Sequence, residues 1–185
     1  MVATYDVVAL NGSGPTETVV TAVRLRSDDQ NTADLNFPCL IDSVLRRSYW
    51  KNLALKFAGT FSEISNIRIH SDGAIGWTLG TLGKLKLGNR DTGDIGVPTA
   101  NYAQASGTPG VTGNDLEVSH AYFSGQTTKS VDIASVTSGS PKTVDSTKYT
   151  VAGRSNHIVI QAEIDTDATQ GVQTAETLTF LVDEI

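Results

Sequence analysis

Apolar residues recur at every second position in segment after segment of this chain, and that period limits what it can fold into. In Glu17 to Arg26, Val19, Thr21, Val23 and Leu25 share one face, while Val20, Ala22, Arg24 and Arg26 share the other. Leu53, Leu55 and Phe57 alternate with Asn52, Ala54 and Lys56. Ile67 and Ile69 alternate with Asn66, Arg68 and His70, and Leu85 and Leu87 with Lys84 and Lys86. The pattern recurs in Leu116 to Phe123. Ile158, Ile160, Ala162 and Ile164 then alternate with His157, Val159, Gln161 and Glu163, and Leu178, Phe180 and Val182 with Thr177, Thr179 and Asp183. Successive side chains of a strand point to opposite faces of a sheet, so each segment reads as a half-buried antiparallel strand, one face in a core and one in water. The expected fold class is all-β: an antiparallel β-sandwich, jelly-roll-like, with long polar loops or arms. Leu53, Leu55, Phe57, Ile67, Ile69, Ile158, Ile160, Leu178, Phe180 and Val182 are expected to face its interior.

The breaks carry turn chemistry. Asn11-Gly12-Ser13-Gly14-Pro15 reads as a loop, and Ser71-Asp72-Gly73 ends a strand, because Asp-Gly readily supplies positive φ. Gly80 and Gly83 interrupt the Trp77 to Leu87 segment as a bulge or a close backbone approach would. The best helix candidate, Asp42 to Trp50, has Asp42 as a cap, although Ser48-Tyr49-Trp50 can equally open the next strand. Gly88 to Asp115 is rich in Gly, Pro, Thr, Asn and Asp and has almost no apolar periodicity. A structureless stretch of that length is unusual in a compact domain. It is expected to be a long surface loop, or an arm that orders against a partner. Val136 to Lys148 is a second polar stretch. The 185 residues make one domain over 1–185, with 1–15 as an N-terminal arm and 88–115 as the long loop or arm.

Charge and cysteine content narrow the function classes. A formal charge of -6 argues against a general nucleic-acid binder. The basic clusters Arg24/Arg26, Arg46-Arg47 with Lys51, and Lys84/Lys86 read as solvated strand faces or ends. The longest apolar runs, such as Val7-Val8-Ala9-Leu10, fall far short of the ~20 residues of a membrane span. The opening Met1-Val2-Ala3-Thr4-Tyr5-Asp6 has neither the basic start nor the apolar stretch of a secretory signal. A single cysteine, Cys39, forms no intrachain disulfide and reads as a buried thiol.

Motifs with chemistry fare poorly. Asp91-Thr92-Gly93 matches the aspartic-protease tripeptide, but that chemistry needs a buried carboxylate pair, and here the flanks are Asn89, Arg90 and Asp94. Asp91/Asp94 and Asp165/Asp167 offer oxygens for calcium without the spacing of a calcium loop. His70, His120 and His157 show no two-histidine metal spacing, and the nucleophile-elbow and phosphate-loop motifs are missing. The expectation is a protein that is not an enzyme, with no catalytic, cofactor-binding or metal-ligating residues and no cofactor.

The block Ser48-Tyr49-Trp50-Lys51-Asn52-Leu53-Ala54-Leu55-Lys56-Phe57-Ala58-Gly59-Thr60-Phe61-Ser62-Glu63-Ile64-Ser65-Asn66-Ile67-Arg68-Ile69 resembles a stretch of small virion structural proteins of tailed phages and related archaeal viruses. The ending Glu176-Thr177-Leu178-Thr179-Phe180, followed by acidic residues, is similar as well. Together the two parts cover about a fifth of the chain. The resemblance implies a virion-type β-sandwich that decorates and cements the outer capsid shell, or serves in the neck or tail. Its implied partners are copies of itself, as a homo-oligomer in the assembly, and the major capsid protein, with no nucleic acid and no membrane. A carbohydrate-binding β-sandwich is the competing reading, with Tyr49, Trp50, Trp77, Tyr102 and Tyr122 as stacking candidates. An esterase or protease has only residue types in its favour.

Overall fold

The structure, a computed structural model, describes residues 2–32, 36–73 and 75–185. It is all-β and antiparallel, built as a sandwich of unequal sheets. The strands in chain order are β1 (Ala3–Asn11), β2 (Thr16–Val19), β3 (Arg46–Arg47), β4 (Lys51–Gly59), β5 (Ile64–Ser71) and β6 (Lys84–Gly88). They continue as β7 (Gly107–Thr108), β8 (Thr112–Gly113), β9 (Ser130–Asp132), β10 (Lys142–Asp145), β11 (Gly153–Ile164) and β12 (Leu178–Glu184). Among the described residues the large sheet runs β2-β1-β4-β11-β6-β9, with β3 also on β11, and the small sheet runs β10-β5-β12. No helix among them is long and apolar enough to cross a membrane.

The period-two pattern places the core between the sheets. Leu53, Leu55, Phe57, Leu85, Leu87, Ile158 and Ile160 of the large sheet meet Ile64, Ile67, Ile69 and Val144 of the small one. Leu178, Phe180 and Val182 of β12 pack on this cluster only half-buried, because β12 is a sheet edge. The β11 ladder slips between Arg154 and His157, and the Ser155 hydroxyl there accepts from the Leu55 amide at 3.1 Å. That contact satisfies a buried donor which the slip would otherwise orphan.

Several expectations fail for physical reasons. The N-terminal arm of 1–15 is instead a strand from Ala3 to Asn11, sandwiched between β2 and β4; Met1 lies outside the described residues. Its run Val7-Val8-Ala9-Leu10 is apolar on both phases, as suits a strand covered on both faces. The strand expected over Glu17 to Arg26 lasts only to Val19, where the ladder with β1 ends. Asp42 to Trp50 is not helical, and Ser48-Tyr49-Trp50 leads into β4. Leu116 to Phe123 is two helical turns, α1 (Leu116–Ser119) and α2 (Ala121–Ser124), capped by the side chains of Asp115 and His120. Leu116 of α1 and Phe123 of α2 are both buried, while Val118 is exposed. The polar stretch Val136 to Lys148 contains β10, which brings Val144 into the core.

The stretch 88–115 is a long loop rather than a free arm, and together with α1 and α2 it forms a third layer, over 89–125, on the outer face of the large sheet. The Val97 amide donates to the His157 carbonyl at 2.8 Å, and the His157 amide donates back to Val97 at 3.0 Å. Tyr49, Trp50, Val97, Ala105, Leu116, Phe123 and Val159 form a second apolar cluster there. Gly96 lets the segment press on β10, since a Cβ at that position would overlap the Val144 carbonyl. The strand phase expected to face water, including Asn52, Ala54, His157, Val159, Gln161 and Glu163, is therefore buried beneath this layer.

Candidate functional site

The chemistry-bearing side chains that converge do so between the large sheet and this covering layer. β6 and β11 pair so that Lys86 lies opposite Gln161 and Lys84 opposite Glu163, while β3 sets Arg47 opposite Glu163. The Lys86 ammonium, 2% exposed, contacts Glu163 at 2.7 Å, Asp115 at 3.0 Å and Glu117 at 3.2 Å. Arg47 contacts Glu163 at 2.8 Å and Asp115 at 3.1 Å. Glu163 comes from the sheet, and Asp115 and Glu117 from the covering layer, so Lys86 ties one to the other. Gln161 repeats the tie with neutral groups. Its Nε2 donates to the carbonyls of Ser48 and Asn114, each at 2.7 Å, and its Oε1 accepts from the Leu116 amide at 3.0 Å.

The electrostatics match the geometry. Burial disfavours the Lys86 charge, but hydrogen bonds to Glu163 and Asp115 outweigh it and hold its pKa above the ordinary lysine value. Burial likewise opposes the Asp115 charge, yet the Glu117 amide and Lys86 hold its carboxyl below the ordinary range. Glu117 is held low against burial by Ser130 and Lys86. An amine kept protonated among carboxylates has no lone pair to offer, so Lys86 is neither nucleophile nor base. The cluster is a charge-balanced clamp.

A second buried cation opens β4. Lys51 donates to the carbonyls of Asp28 at 2.8 Å and Gln30 at 2.7 Å, and Arg26 pairs with Asp28 at 2.6 Å. Burial pushes Lys51 down to about 8, against the pull of Asp29 and Asp28. The basic residues read from sequence as solvated thus include three, Arg26, Lys51 and Lys86, that are buried and paired.

The other sequence candidates are engaged locally. Asp91 accepts from the amides of Thr127 at 2.7 Å and Thr128 at 3.0 Å, pinning that loop, and Gly93 turns the tripeptide at φ +86°. Asp165 accepts from the Leu82 amide, and Asp167 from the amide and hydroxyl of Thr81, so both acids fasten the 78–83 loop. Among the described residues no three acidic, histidine or cysteine groups are placed to hold a metal. Burial pushes the Cys39 thiol up to about 12, and its sulfur donates to the Leu25 carbonyl at 3.4 Å, which leaves it unreactive. His70 is half-buried with Nδ1 on the Ser71 carbonyl.

His120, within the covering layer, and His157, on β11 beneath it, are both buried. The His120 ring packs against Trp50 and Phe123, and the His157 ring lies 6.0 Å from that of Tyr102. Burial pushes them down to about 4 and about 3. Of the aromatic candidates, Tyr49 and Trp50 are buried, Tyr102 donates its hydroxyl to Gly12, and Tyr122 packs edge-on against Phe123. Half-buried Trp77 borders a cleft of about 250 Å³ beside Leu79 and Lys84. That is below the roughly 300–1,000 Å³ of ordinary ligand pockets. Comparison of the chain with protein-family models, with curated proteins and with solved structures finds no match.

Proposed function

We propose that the protein is a non-enzymatic virion structural protein, a decoration protein that binds and cements the outside of a capsid shell as a homo-oligomer on the major capsid protein. The observation that carries this reading is spatial. The two segments whose sequence resembles such proteins, 48–69 and 176–180, lie far apart in the chain yet meet in the fold. β5 and β12 pair with Phe180 opposite Ile69, and β4 faces β5 across the core. The resembling residues thus compose one unit. The placement of late β11 between early β4 and β6 supports a jelly-roll-like ancestry, because Greek-key folds interleave early and late strands in this way.

Two further observations favour a scaffold. The buried charges are matched against one another inside the molecule, which suits holding a shape. Among the described residues no further strand pairs with β2, exposed at every residue from Thr16 to Val19, or with the outer edge of β12, so another chain could add to either. The sugar-stacking reading loses Tyr49 and Trp50 to the interior.

Quantitative mass spectrometry of purified virions tests the proposal. A copy number comparable to that of the major capsid protein supports decoration. A few copies per particle move the protein to the neck or tail, and absence from particles ends the reading.

A further inference from the structure

We propose that His120 and His157 together form an acid-released latch that holds the 89–125 layer closed over the large sheet. This goes beyond the virion reading and does not depend on it.

Each histidine sits at an attachment point of the layer. His157 carries the reciprocal backbone pair with Val97, which joins the layer to β11. His120 lies between α1 and α2, where its Nδ1 accepts from the Tyr122 amide at 3.3 Å and caps α2. An accepting Nδ1 places the single proton of a neutral ring on Nε2. A second proton on Nδ1 would turn the acceptor into a donor facing another donor, and the cap would be lost.

The surroundings give neither ring a carboxylate to balance a charge. Both rings are buried, and among the described residues their Nε2 atoms have no hydrogen-bond partner. The charges that His157 senses are those of Arg154 and of His120 itself, both unfavourable to a cation. The Tyr102 hydroxyl beside it is donated to Gly12. Acids on the neighbouring elements face cations or donors of their own. Asp115 and Glu117 of the layer hold Lys86, and Glu163 of β11 holds Lys86 and Arg47. Glu17 of β2 holds Arg154 and Lys56, Asp94 lies by Arg90, and Asp29 accepts from Gln104 and Gly12.

The sign follows. Both histidines have folded pKa values below the ordinary value of about 6.5. The closed layer keeps its full stability above that pH and loses it as pH falls toward about 4, because the open form binds the protons. Asp115 and Glu117, held below the ordinary carboxylate range, keep their charge and their grip on Lys86 through the upper part of this window. The histidines therefore act first. Opening uncovers Trp50, Val97, Leu116, Phe123 and Val159.

Hydrogen exchange on the intact protein at pH 7 and pH 5, corrected for intrinsic exchange, provides the test. From pH 7 to 5 the opening constant of 89–125 should rise roughly twentyfold per histidine, and a few hundredfold for the two. The amides of β5 and β12 should change far less, and a His120→Gln, His157→Gln variant should lose the response. The latch is refuted if the small sheet opens in step with 89–125, or if the double variant keeps the acid response. Should that variant not fold, the ring-proton resonances of the unmodified protein decide. They should stay those of neutral rings at pH 5, and titration of both near pH 6.5 overturns the proposal.

Discussion

Lys86 shows how one side chain sets the stability of two layers. Replacing it with methionine leaves Asp115, Glu117 and Glu163 crowded in a buried place with Arg47 and Lys84 as remaining counter-charges. Breaking a buried ion pair from one side costs about 3–5 kcal/mol. Urea unfolding of Lys86→Met at neutral pH should show a loss of that order. The deficit should narrow below the ordinary carboxylate range, where the abandoned acids take up protons. In the parent protein the sign is the reverse. Asp115 and Glu117, with lowered pKa values, contribute stability at neutral pH that disappears as acid protonates them, whereas Lys86, raised, keeps its contribution until strong base. Asp145 carries a comparable load without a cation. Its carboxylate accepts from the amides of Thr147 at 2.9 Å and Asn156 at 2.7 Å, and from the Tyr149 hydroxyl at 2.8 Å. Asp145→Ala strands these donors beside the core and should destabilise by about 3 kcal/mol or more in the same melts.

Among the elements, the 89–125 layer matters most. Deleting Asn89 to Asn114 and bridging the gap with a short Gly/Ser linker should lower the melting temperature steeply while the core between the two sheets stays folded, because Trp50, Asn52, Val159 and Gln161 would lose their cover. A nearly unchanged melting temperature would mean that the layer is a detachable arm. In the sandwich proper, Leu55→Ala should cost about 2–5 kcal/mol, and Phe180→Ala less, since β12 is an edge strand and Phe180 only half-buried. The contrast also shows what was legible in the sequence. Strands β4, β5, β11 and β12 announced themselves, because each has one apolar phase that must face a core. β1 was read past because both its phases are apolar, which removes the alternation. The covering layer was hidden for a different reason. It contributes few apolar residues, Ile95, Val97 and Ala105 among them, and fastens itself through glycines, backbone bridges and ion pairs that leave no periodic trace. Its buried polar partners on the sheet, such as Gln161 and Glu163, carry the same residue types as a solvated face. Only the pairing of Lys86 with acids from two directions reveals them, and that pairing exists only in three dimensions.

At the scale of the whole molecule, the sandwich and its clamped cover form a block, and β2 and β12, each at the end of its sheet, are the edges the proposed docking would use. Val19→Asp, at a position 58% exposed on β2, should leave the unfolding free energy within about 0.5 kcal/mol of the parent. If β2 is the docking edge, the same change should weaken binding to shells stripped of the protein, as read by co-sedimentation. Unchanged binding would point to β12 or to another surface. The strand order carries a consequence for how the chain is made. β4 waits at the middle of its sheet for β11, with Lys51 opposite Ile160, and β6 waits for the same strand, with Leu87 opposite that same residue. On a ribosome, β1 and β4 can zip together early, but the far edge of β4 stays bare until Gly153 and the residues after it have emerged. Pairings of such long range are slow, on the order of milliseconds to seconds. During that delay, an apolar strand edge faces whatever other chains are nearby. Slower growth at low temperature should therefore raise the soluble yield, and the last long strand made decides whether the first ones find their proper neighbour.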